Sequence, residues 1–464
     1  MIRPHLHHVT TLILMTFLTS SLPAVDDAPA GHRPASVQAA FEAMEAQDAA
    51  NLSHRPEGHM GRRIPVLKAI SFFQERIAER PGDVRSMTVV GRLYIRMAKE
   101  TGQHSAYATA EKCLRDALST APDDNAAKTW LAVALQAQHR FREALQIASD
   151  SYAGNSQDTM ALATIGDCQF HLGRVEAARS TYQTLSRLAG DSPPVLARHA
   201  QLAEVNGSSE EAITLLENAR DAVRHSGQSG DAVAWYELRL AALHHKLGHA
   251  DKARVHYRTS LKQDADLHVA KTGLARLLAE QGDFEQASDL LQEVIDTNSS
   301  AAAMMTLGDV LTHQGHTGKA SNWYDRAEAV LVKEIQTTGT AHQRDLSRFY
   351  SDRNRNAAAA LSLARQDLQV RSDVYAHDTL AWALHRNGQH TEAASVMQRA
   401  IQLGTQDPML HYHAGMIYAS RGQPGQAAAE LRKALQLNPQ FDLLAADIAR
   451  QTLAAMELSA TTKL

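Results

Sequence analysis

This chain of 464 residues has few cysteines, few aromatic residues and little net charge. Only two cysteines occur, so we expect no disulfide framework. Phe, Trp and Tyr make up 5% of the chain, and 44% hydrophobic residues with so few rings is typical of helical proteins rich in Ala and Leu. The formal net charge is −4, and no part is basic enough to favour a nucleic-acid partner.

Motifs for catalysis and nucleotide binding are missing as well. The sequence contains no Gly-rich phosphate loop, no Gly-x-Ser-x-Gly elbow, no His-Glu-x-x-His zinc motif and no Cys-x-x-Cys pair. We therefore predict that the chain is not an enzyme, that it has no catalytic residues and that it uses no cofactor.

Histidine is abundant, at 24 residues, and is the candidate metal ligand. The densest group is His244, His245 and His249, but neighbours on a helix point about 100° apart, and a glycine ends the helix just before His249. His411 and His413 are two residues apart and also diverge. We interpret the histidines as solvated or groove-lining, so no metal site is predicted, and a histidine-rich carrier or sensor of metal or a small ligand stays an alternative.

Apolar character near the start of the chain indicates export. The stretch from Val9 to Leu22 is too short to cross a bilayer comfortably, and its flanks predict a signal peptide over residues 1–24, with an uncleaved anchor as the alternative. Cleavage would leave no integral membrane span. Residues 25–63 are expected to be disordered apart from a short amphipathic helix, Ser36–Asn51, and a hinge, Pro56–Arg63.

Most of the chain is built on a repeat. Ten alanines recur at gaps of 34, 34, 34, 41, 34, 33, 40, 33 and 34 residues. They are Ala110, Ala144, Ala178, Ala212, Ala253, Ala287, Ala320, Ala360, Ala393 and Ala427. A period of 34 indicates a helix-turn-helix solenoid in which each unit buries its apolar face on its neighbours. Such an array presents surfaces for binding.

The longer gaps exceed the usual period by seven residues, which is about two helical turns and keeps the apolar stripes in phase. The first full unit carries the same excess. We therefore expect longer helices or small protrusions around Thr101–Tyr107, Arg220–Asp231 and Val330–Ala341. The unit at about residues 341–373 is the most degenerate, with polar residues 352–356 where a turn belongs.

Other positions recur with the alanine. A glycine or another small residue lies twelve residues before it, and a ring or bulky aliphatic side chain lies four residues after it. A turn glycine lies five residues before it in most units: Gly173, Gly207, Gly248, Gly282, Gly315, Gly388 and Gly422. Two apolar stripes separated by a glycine predict two antiparallel helices whose axes approach closely at the small residues.

This pattern resembles the tetratricopeptide repeat (TPR) family. The best-matching unit has Gly415, Tyr418, Ala427, Leu431 and Pro439 at consensus positions. The resemblance covers roughly residues 65–440. It implies an all-α, right-handed superhelical solenoid of about ten helix-turn-helix repeats over residues 64–440, with a helical N-terminal cap and a C-terminal capping helix and tail over residues 441–464.

The repeat also bears on the two cysteines. Cys113 and Cys168 belong to units separated by a whole intervening repeat, and repeats contact only their neighbours. We expect both to be unpaired, small buried side chains.

In the family resembled, fixed positions of the first helix of each unit line the concave face. Carried onto this chain, that register predicts a partner-binding stripe of Arg85, Arg92, Arg96, Trp235, Tyr375, Trp382, Arg386, Met409, Tyr412 and Met416. It also places Asp167, Phe170, His171, His245, Lys246, Arg276, Asp378 and His385 on this face. Exposed rings and arginines would be anchors for a peptide or helix, and methionine an adaptable floor. Alternatively, Trp382 and Tyr412 pack between successive first helices.

Residues near the carboxyl end, including Trp382, Tyr412, His413 and Asn438, resemble a group of bacterial TPR proteins. With the signal peptide, this resemblance implies an exported, periplasmic or extracellular bacterial protein. We expect a non-catalytic scaffold that binds a peptide or protein partner in its concave groove, for example during assembly of an envelope or secreted complex. The alternatives are the metal or small-ligand carrier and a stabilising or regulatory subunit of an enzyme encoded elsewhere.

Overall fold

The computed structural model describes residues 60–101, 103–227, 230–338 and 342–461. The predicted signal peptide, the predicted helix Ser36–Asn51 and the start of the predicted hinge lie outside these residues. All regular structure in the described part of the chain is helical. No described helix has both the length and the apolar character needed to span a membrane.

The described helices are α1 (Met60–Glu79), α2 (Val84–Thr101), α3 (Ser105–Thr120), α4 (Asn125–Ala137), α5 (Phe141–Gly154), α6 (Thr159–His171), α7 (Val175–Ala189), α8 (Pro193–Val205), α9 (Ser209–His225), α10 (Gly230–Lys246), α11 (Ala250–Gln263), α12 (His268–Glu280), α13 (Phe284–Asn298), α14 (Ala301–His313), α15 (Thr317–Thr338), α16 (Gln343–Asp352), α17 (Ala357–Val370), α18 (Val374–Arg386), α19 (His390–Ile401), α20 (Pro408–Ser420), α21 (Pro424–Leu437) and α22 (Ala445–Thr461). From α2 to α21 they alternate in chain order as the first and second helices of ten repeats. The predicted all-α repeat fold is confirmed.

Helix lengths follow the spacing of the alanines. The first helix of a pair usually has 13 residues, as in α6, α8, α18 and α20. The pairs with seven extra residues have longer helices: 18 residues in α2, 17 in α10 and 22 in α15. The predicted lengthening is therefore confirmed. In the degenerate unit α16 is shortened to 10 residues, and Asn354 in the turn that follows has a φ of 48°.

One boundary predicted from the sequence is wrong. Because α1 begins at Met60, the last part of the predicted hinge Pro56–Arg63 is helical. The apolar face of α1 explains this difference, since Ile70 and Phe73 are buried against Val90 and Leu93 of α2. Helix α1 thus packs on the first pair.

The described chain divides into two compact units, residues 60–134 and 135–461. In the first unit, α1 packs on α2 and α2 on α3, and Leu114 fills the space over Gly91. In the second unit, α5 to α21 stack in sequence and α22 packs on α21. Each unit has its own buried apolar core.

The recurring small and large residues fit into one another within each pair. A side chain at Gly166 or Gly308 would overlap with the ring of Tyr182 or Tyr324, and a Cβ at Gly415 would lie 2.6 Å from Leu431. The bulky residue four positions after the alanine therefore packs directly over the glycine of the preceding helix. Close packing of this kind explains why the glycine recurs.

The array in residues 135–461 returns on itself. Three turns at the ends of α6, α8 and α10, at residues 171–173, 205–207 and 245–248, contact three segments at residues 372–373, 404–407 and 437–438. The backbone N–H of Ser372 donates to the carbonyl of His171 at 2.9 Å. We call this set of contacts the seam. It joins pairs that are about six repeats apart.

Two side chains extend the seam. The hydroxyl of Thr405 donates to the carbonyl of Val205 at 2.5 Å, and the amide of Asn438 donates to the carbonyl of His245 at 2.9 Å. The carbonyls of His171 and Val205 lie at the carboxyl ends of helices, where carbonyls lack a partner within the helix. The seam supplies a donor to both, whereas the His245 carbonyl also accepts from the Gly248 N–H of its own turn, at 3.0 Å.

Turn glycines distinguish the seam from the rest of the array. Gly207 and Gly388 have nearly the same left-handed φ, 75° and 74°. A Cβ at Gly207 would overlap with the carbonyl oxygen of Gly404, whereas a Cβ at Gly388 would meet no atom within 4 Å. Gly173 and Gly248 resemble Gly207 in this respect. At the seam the glycine thus serves both the turn and the close approach of a distant backbone.

Alanine at these two glycines tests the seam. Either substitution carries the left-handed backbone penalty of about 1–2 kcal/mol. Because Gly207→Ala also forces the Gly404 carbonyl away, we expect it to lower the free energy of unfolding by about 1–3 kcal/mol more than Gly388→Ala. Urea denaturation and hydrogen exchange at residues 404–407 measure the difference. Equal losses and unchanged exchange would contradict the seam.

Candidate binding cavity

Polar bonds link the first helices of successive pairs. The guanidinium of Arg198 on α8 donates to both carboxylate oxygens of Asp167 on α6, at 2.7 and 2.8 Å. Similar bonds join α8 to α10, α10 to α12, α14 to α16, α16 to α18 and α18 to α20. They are Arg239–Glu204, His245–Glu280, Arg353–Asp309, Trp382–Asp352 and His413–Asp378. We call this series the inner ladder. It fixes neighbouring first helices to one another.

The Asp167–Arg198 pair is a deeply buried rung, with Asp167 5% and Arg198 2% exposed. The hydroxyl of Tyr182 also donates to Asp167, at 2.8 Å. Burial acts to raise the pKa of the Asp167 carboxyl, but the charge and hydrogen bonds of Arg198 outweigh it, so the pKa lies below the usual value. Asp167 is therefore ionised and contributes to folding at neutral pH.

Replacing Asp167 tests the ladder. Asp167→Asn leaves a buried guanidinium without its charge partner, and we expect a loss of about 3–5 kcal/mol in the free energy of unfolding. Because the folded pKa is depressed, this stabilisation exists above the unfolded pKa of about 3.9 and is lost as the pH falls below it. The difference in free energy of unfolding between the native chain and the variant should therefore become smaller below about pH 4.

Urea denaturation from pH 7 to pH 3 measures that difference. Glu392→Gln is the matched control, because its partner Arg365 lies 3.8 Å away and both side chains are 53% exposed. We expect the control to cost about 0–1 kcal/mol. A difference for Asp167→Asn that stayed constant with pH would contradict the role given to its charge.

Lys246, at the end of α10, connects the ladder to the seam. Its ammonium lies 2.7 Å from Glu204 of α8, 3.2 Å from Asp407 before α20, and 3.0 Å from the hydroxyl of Tyr375 on α18. Burial acts to lower the pKa of Lys246, but the negative charges raise it well above the ordinary value. One cation thus holds together two parts of the chain separated by about six repeats.

We expect Lys246→Met to loosen the seam locally. Without the ammonium, the carboxylates of Glu204 and Asp407 lose a shared partner inside the protein. Hydrogen exchange at residues 404–407 should then speed up by about tenfold or more. Lys271→Met is the control, since Lys271 pairs at 2.6 Å with the half-exposed Glu293, away from the seam. Unchanged exchange in Lys246→Met would contradict this role.

The seam and the first helices enclose a cavity of about 1040 Å³. Its apolar lining includes Leu238, Ala242, Val269, Ala302 and Met305, which α10, α12 and α14 contribute. Its charged lining comes mainly from α16 and α18, with Arg239, Lys246 and Arg276 from α10 and α12. A crevice beside the seam, at the start of α7 and the end of α19, continues the cavity. A molecule bound in the cavity would therefore contact both apolar and ionic groups.

Most charges of the cavity are already paired. Arg344 bonds to Asp367 and Asp373, each at 3.0 Å, and Arg353 bonds to Asp309. The lining carboxylates likewise have donors of their own. These paired groups would have to exchange an existing partner before they could bind an incoming group.

Arg348, in the middle of α16, is not among these pairs, and the lining Arg276 and Arg399 are not either. Among the described residues Arg348 has neither a hydrogen bond nor an ion pair, although Asp345, Asp352, Asp378 and Asp407 lie around it. Burial acts to lower its pKa, but these carboxylates raise it. Its guanidinium is charged, half-buried and lines the cavity with its donors unused. Such a group can bind a carboxylate or a backbone carbonyl.

Two of the predicted anchors are not exposed. Trp382 is 4% exposed: its ring stacks on His413 at 4.3 Å between centroids, and its indole N–H donates to Asp352 at 2.9 Å. Tyr412 is 6% exposed and packs against Phe441. The expectation of exposed rings is wrong for both, because the next first helix and the segment after α21 cover them.

The other predicted residues of the second unit are divided. Tyr375 and Met409 line the cavity. Trp235 is half-buried against Tyr236, and Arg386 lies 5.5 Å from the ring of Trp382. Met416 is half-buried against the apolar core. Whether any of them binds a partner stays a prediction.

The predicted arginines Arg85, Arg92 and Arg96 lie in the first unit. Arg85 and Arg96 are exposed. Arg92 is half-buried with its guanidinium 4.7 Å from the ring centroid of Trp130, and burial lowers its pKa. Part of this predicted surface is therefore used within the unit.

The histidines bond mainly to carboxylates and rings. His411 lies 2.6 Å from Glu430, and His413 lies 2.8 Å from Asp378. His244 is 3.2 Å from His249, and burial lowers the pKa of His244 to about 4. Within the described residues, no group of three or more His, Cys, Asp or Glu side chains is arranged to hold a metal ion.

The cysteines are free, as expected. Cys168 is buried, and burial raises the pKa of its thiol well above the usual value. Cys113 is only partly buried, which differs from the expectation for that residue.

The sequence reasoning missed the contribution of α16. Arg344, Arg348 and Asp352 recur at intervals of four, so one face of this helix is charged. That signal could be read from the sequence, but the unit matches the repeat consensus poorly and the register could not be carried onto it.

Several regions of the chain match family models. Residues 196–339 match a tetratricopeptide repeat-like domain, and residues 346–408 and 410–441 match tetratricopeptide repeats. The chain belongs to the tetratricopeptide repeat family. Residues 103–185 match the model for the anaphase-promoting complex, cyclosome, subunit 3. No curated protein matches the chain. Family membership supports a role as a protein–protein interaction scaffold.

Solved structures with similar folds include the APC/C hetero-tetramer Cut9–Hcn1, at a TM-score of 0.38 and 15% identity over 80% of this chain and 76% of that chain. A TPR protein from Parabacteroides merdae has a TM-score of 0.39 and 17% identity over 53% of this chain and 98% of that chain. A TPR protein from Thermus thermophilus has a TM-score of 0.36 and 18% identity over 40% and 98% of the respective chains.

Proposed function

We propose that this TPR protein is a scaffold that binds a short segment of a partner protein inside the cavity. The observation that carries the proposal is Arg348, a charged side chain with unused donors in a cavity that also has an apolar lining. A segment that carries both apolar side chains and a carboxylate or free carbonyls matches both kinds of lining.

Energetics favour this site over the paired charges beside it. Arg344 and Arg353 would have to break existing bonds before they could bind a partner. Arg348 would only exchange water for the partner's oxygen atoms, and a hydrogen bond to a charged group contributes about 1.5–3 kcal/mol. The half-buried Met305 and Leu238 lose further contact with water when a segment covers them.

Removal of Arg348 tests the proposal. The full chain is used to select binders from random 12-residue peptides displayed at a free terminus. We expect Arg348→Ala to weaken the selected peptides about 10- to 100-fold, in line with the lost charged hydrogen bonds. Calorimetry measures affinity, and urea denaturation checks that the variant folds.

Arg258→Ala is the matched control. Arg258 is an exposed arginine of α11 that does not line the cavity. Its removal takes away the same charge but should leave the affinity unchanged. An equal loss of peptide affinity in both variants would mean that the peptides respond to net charge and not to Arg348. Unaltered affinity in Arg348→Ala would exclude the cavity as the proposed binding site.

A further inference from the structure

We infer that the partner segment enters the cavity as a free chain end and not as an internal loop. This inference rests on the proposed function. A solenoid groove with an open side would admit an internal loop as readily as a chain end. In this chain the side of the groove is closed. Three features of the described residues bear on it.

First, the seam closes the side of the groove. Backbone and side-chain hydrogen bonds cross it at His171–Ser372, Val205–Thr405 and His245–Asn438, in three successive repeats. The approach is so close that Gly207 has no room for a Cβ beside Gly404. Sideways entry would require these contacts and the Lys246 ion pairs to break together.

Second, the segment after α21 covers part of the cavity. Phe441 and Asp442 line it, and the ring of Phe441 lies 5.7 Å from that of Tyr412. Asn438, three residues before Phe441, is anchored to the carbonyl of His245. The segment is thus fixed at the seam and continues across the cavity wall.

Third, solvent reaches the cavity at a residue that takes no part in the seam. Arg276 of α12 lines the cavity and is exposed. Helix α12 lies midway along the chain between α6 and α18, which meet at the seam. A segment can therefore reach the interior past Arg276 without opening the seam. A loop would have to bring two strands of chain through the same opening, whereas a free end brings one.

Presenting one peptide in two ways tests the inference. A peptide selected as above is measured with a free end and again when fused between two copies of a small folded domain. We expect the fused form to bind at least about tenfold more weakly to the native chain. Equal affinity of the two forms, with both lost in Arg348→Ala, would overturn the free-end inference and leave the cavity function standing.

The seam variants supply the second readout. Gly207→Ala should raise the affinity of the fused peptide relative to the native chain, because a loosened seam admits a segment from the side. Gly388→Ala, whose turn has the same φ but touches nothing, should leave it unchanged. No difference between these variants would count against the seam as the barrier. A selection that yields no peptide would overturn the cavity function and this inference with it.

Discussion

The contact of the repeat array with itself is the constraint on which the rest of the structure depends. In an open solenoid each repeat contacts only its neighbours, and stability is nearly a sum of local terms. Here the carbonyls of His171, Val205 and His245 accept bonds from segments about 200 residues further along the chain. Closing a loop of this length lowers the chain entropy, but once the first contact has formed the other two form with little further loss of entropy. The seam consequently couples distant repeats and turns a groove into a cavity.

The inner ladder explains how so many charges can line one cavity. Each rung, such as Arg198 with Asp167 or Arg239 with Glu204, pairs a side chain of one first helix with one on the next. Buried pairs add little stability relative to apolar packing, but an unpaired member would be severely destabilising. The ladder therefore fixes the relative position of neighbouring helices. It also leaves Arg348 as a charged group whose hydrogen-bonding capacity is not already used.

The sequence predicted what repeats and missed what does not. The period of the alanines gave the helix pairs and even the longer helices α10 and α15, because local packing imposes the same residues in every unit. Of the residues that the register placed on the concave face, Lys246, Arg276 and Asp378 line the cavity, whereas Trp382, Tyr412 and Met416 do not. The seam cannot be recognised in the repeat pattern, because Gly207 at the seam and Gly388 away from it occupy the same position in their repeats. Only three-dimensional contact separates them.

Trp382 shows the same limit at the level of one side chain. Its position in the repeat predicts a place on the concave face, but not whether another element covers it. His413 from the next repeat stacks on the ring, and Asp352 from the preceding one accepts its N–H. The degenerate α16, which matches the consensus least, supplies both Asp352 and Arg348. Departure from the consensus here marks a first helix that combines structural pairing with an unused charge, as expected where local consistency gives way to function.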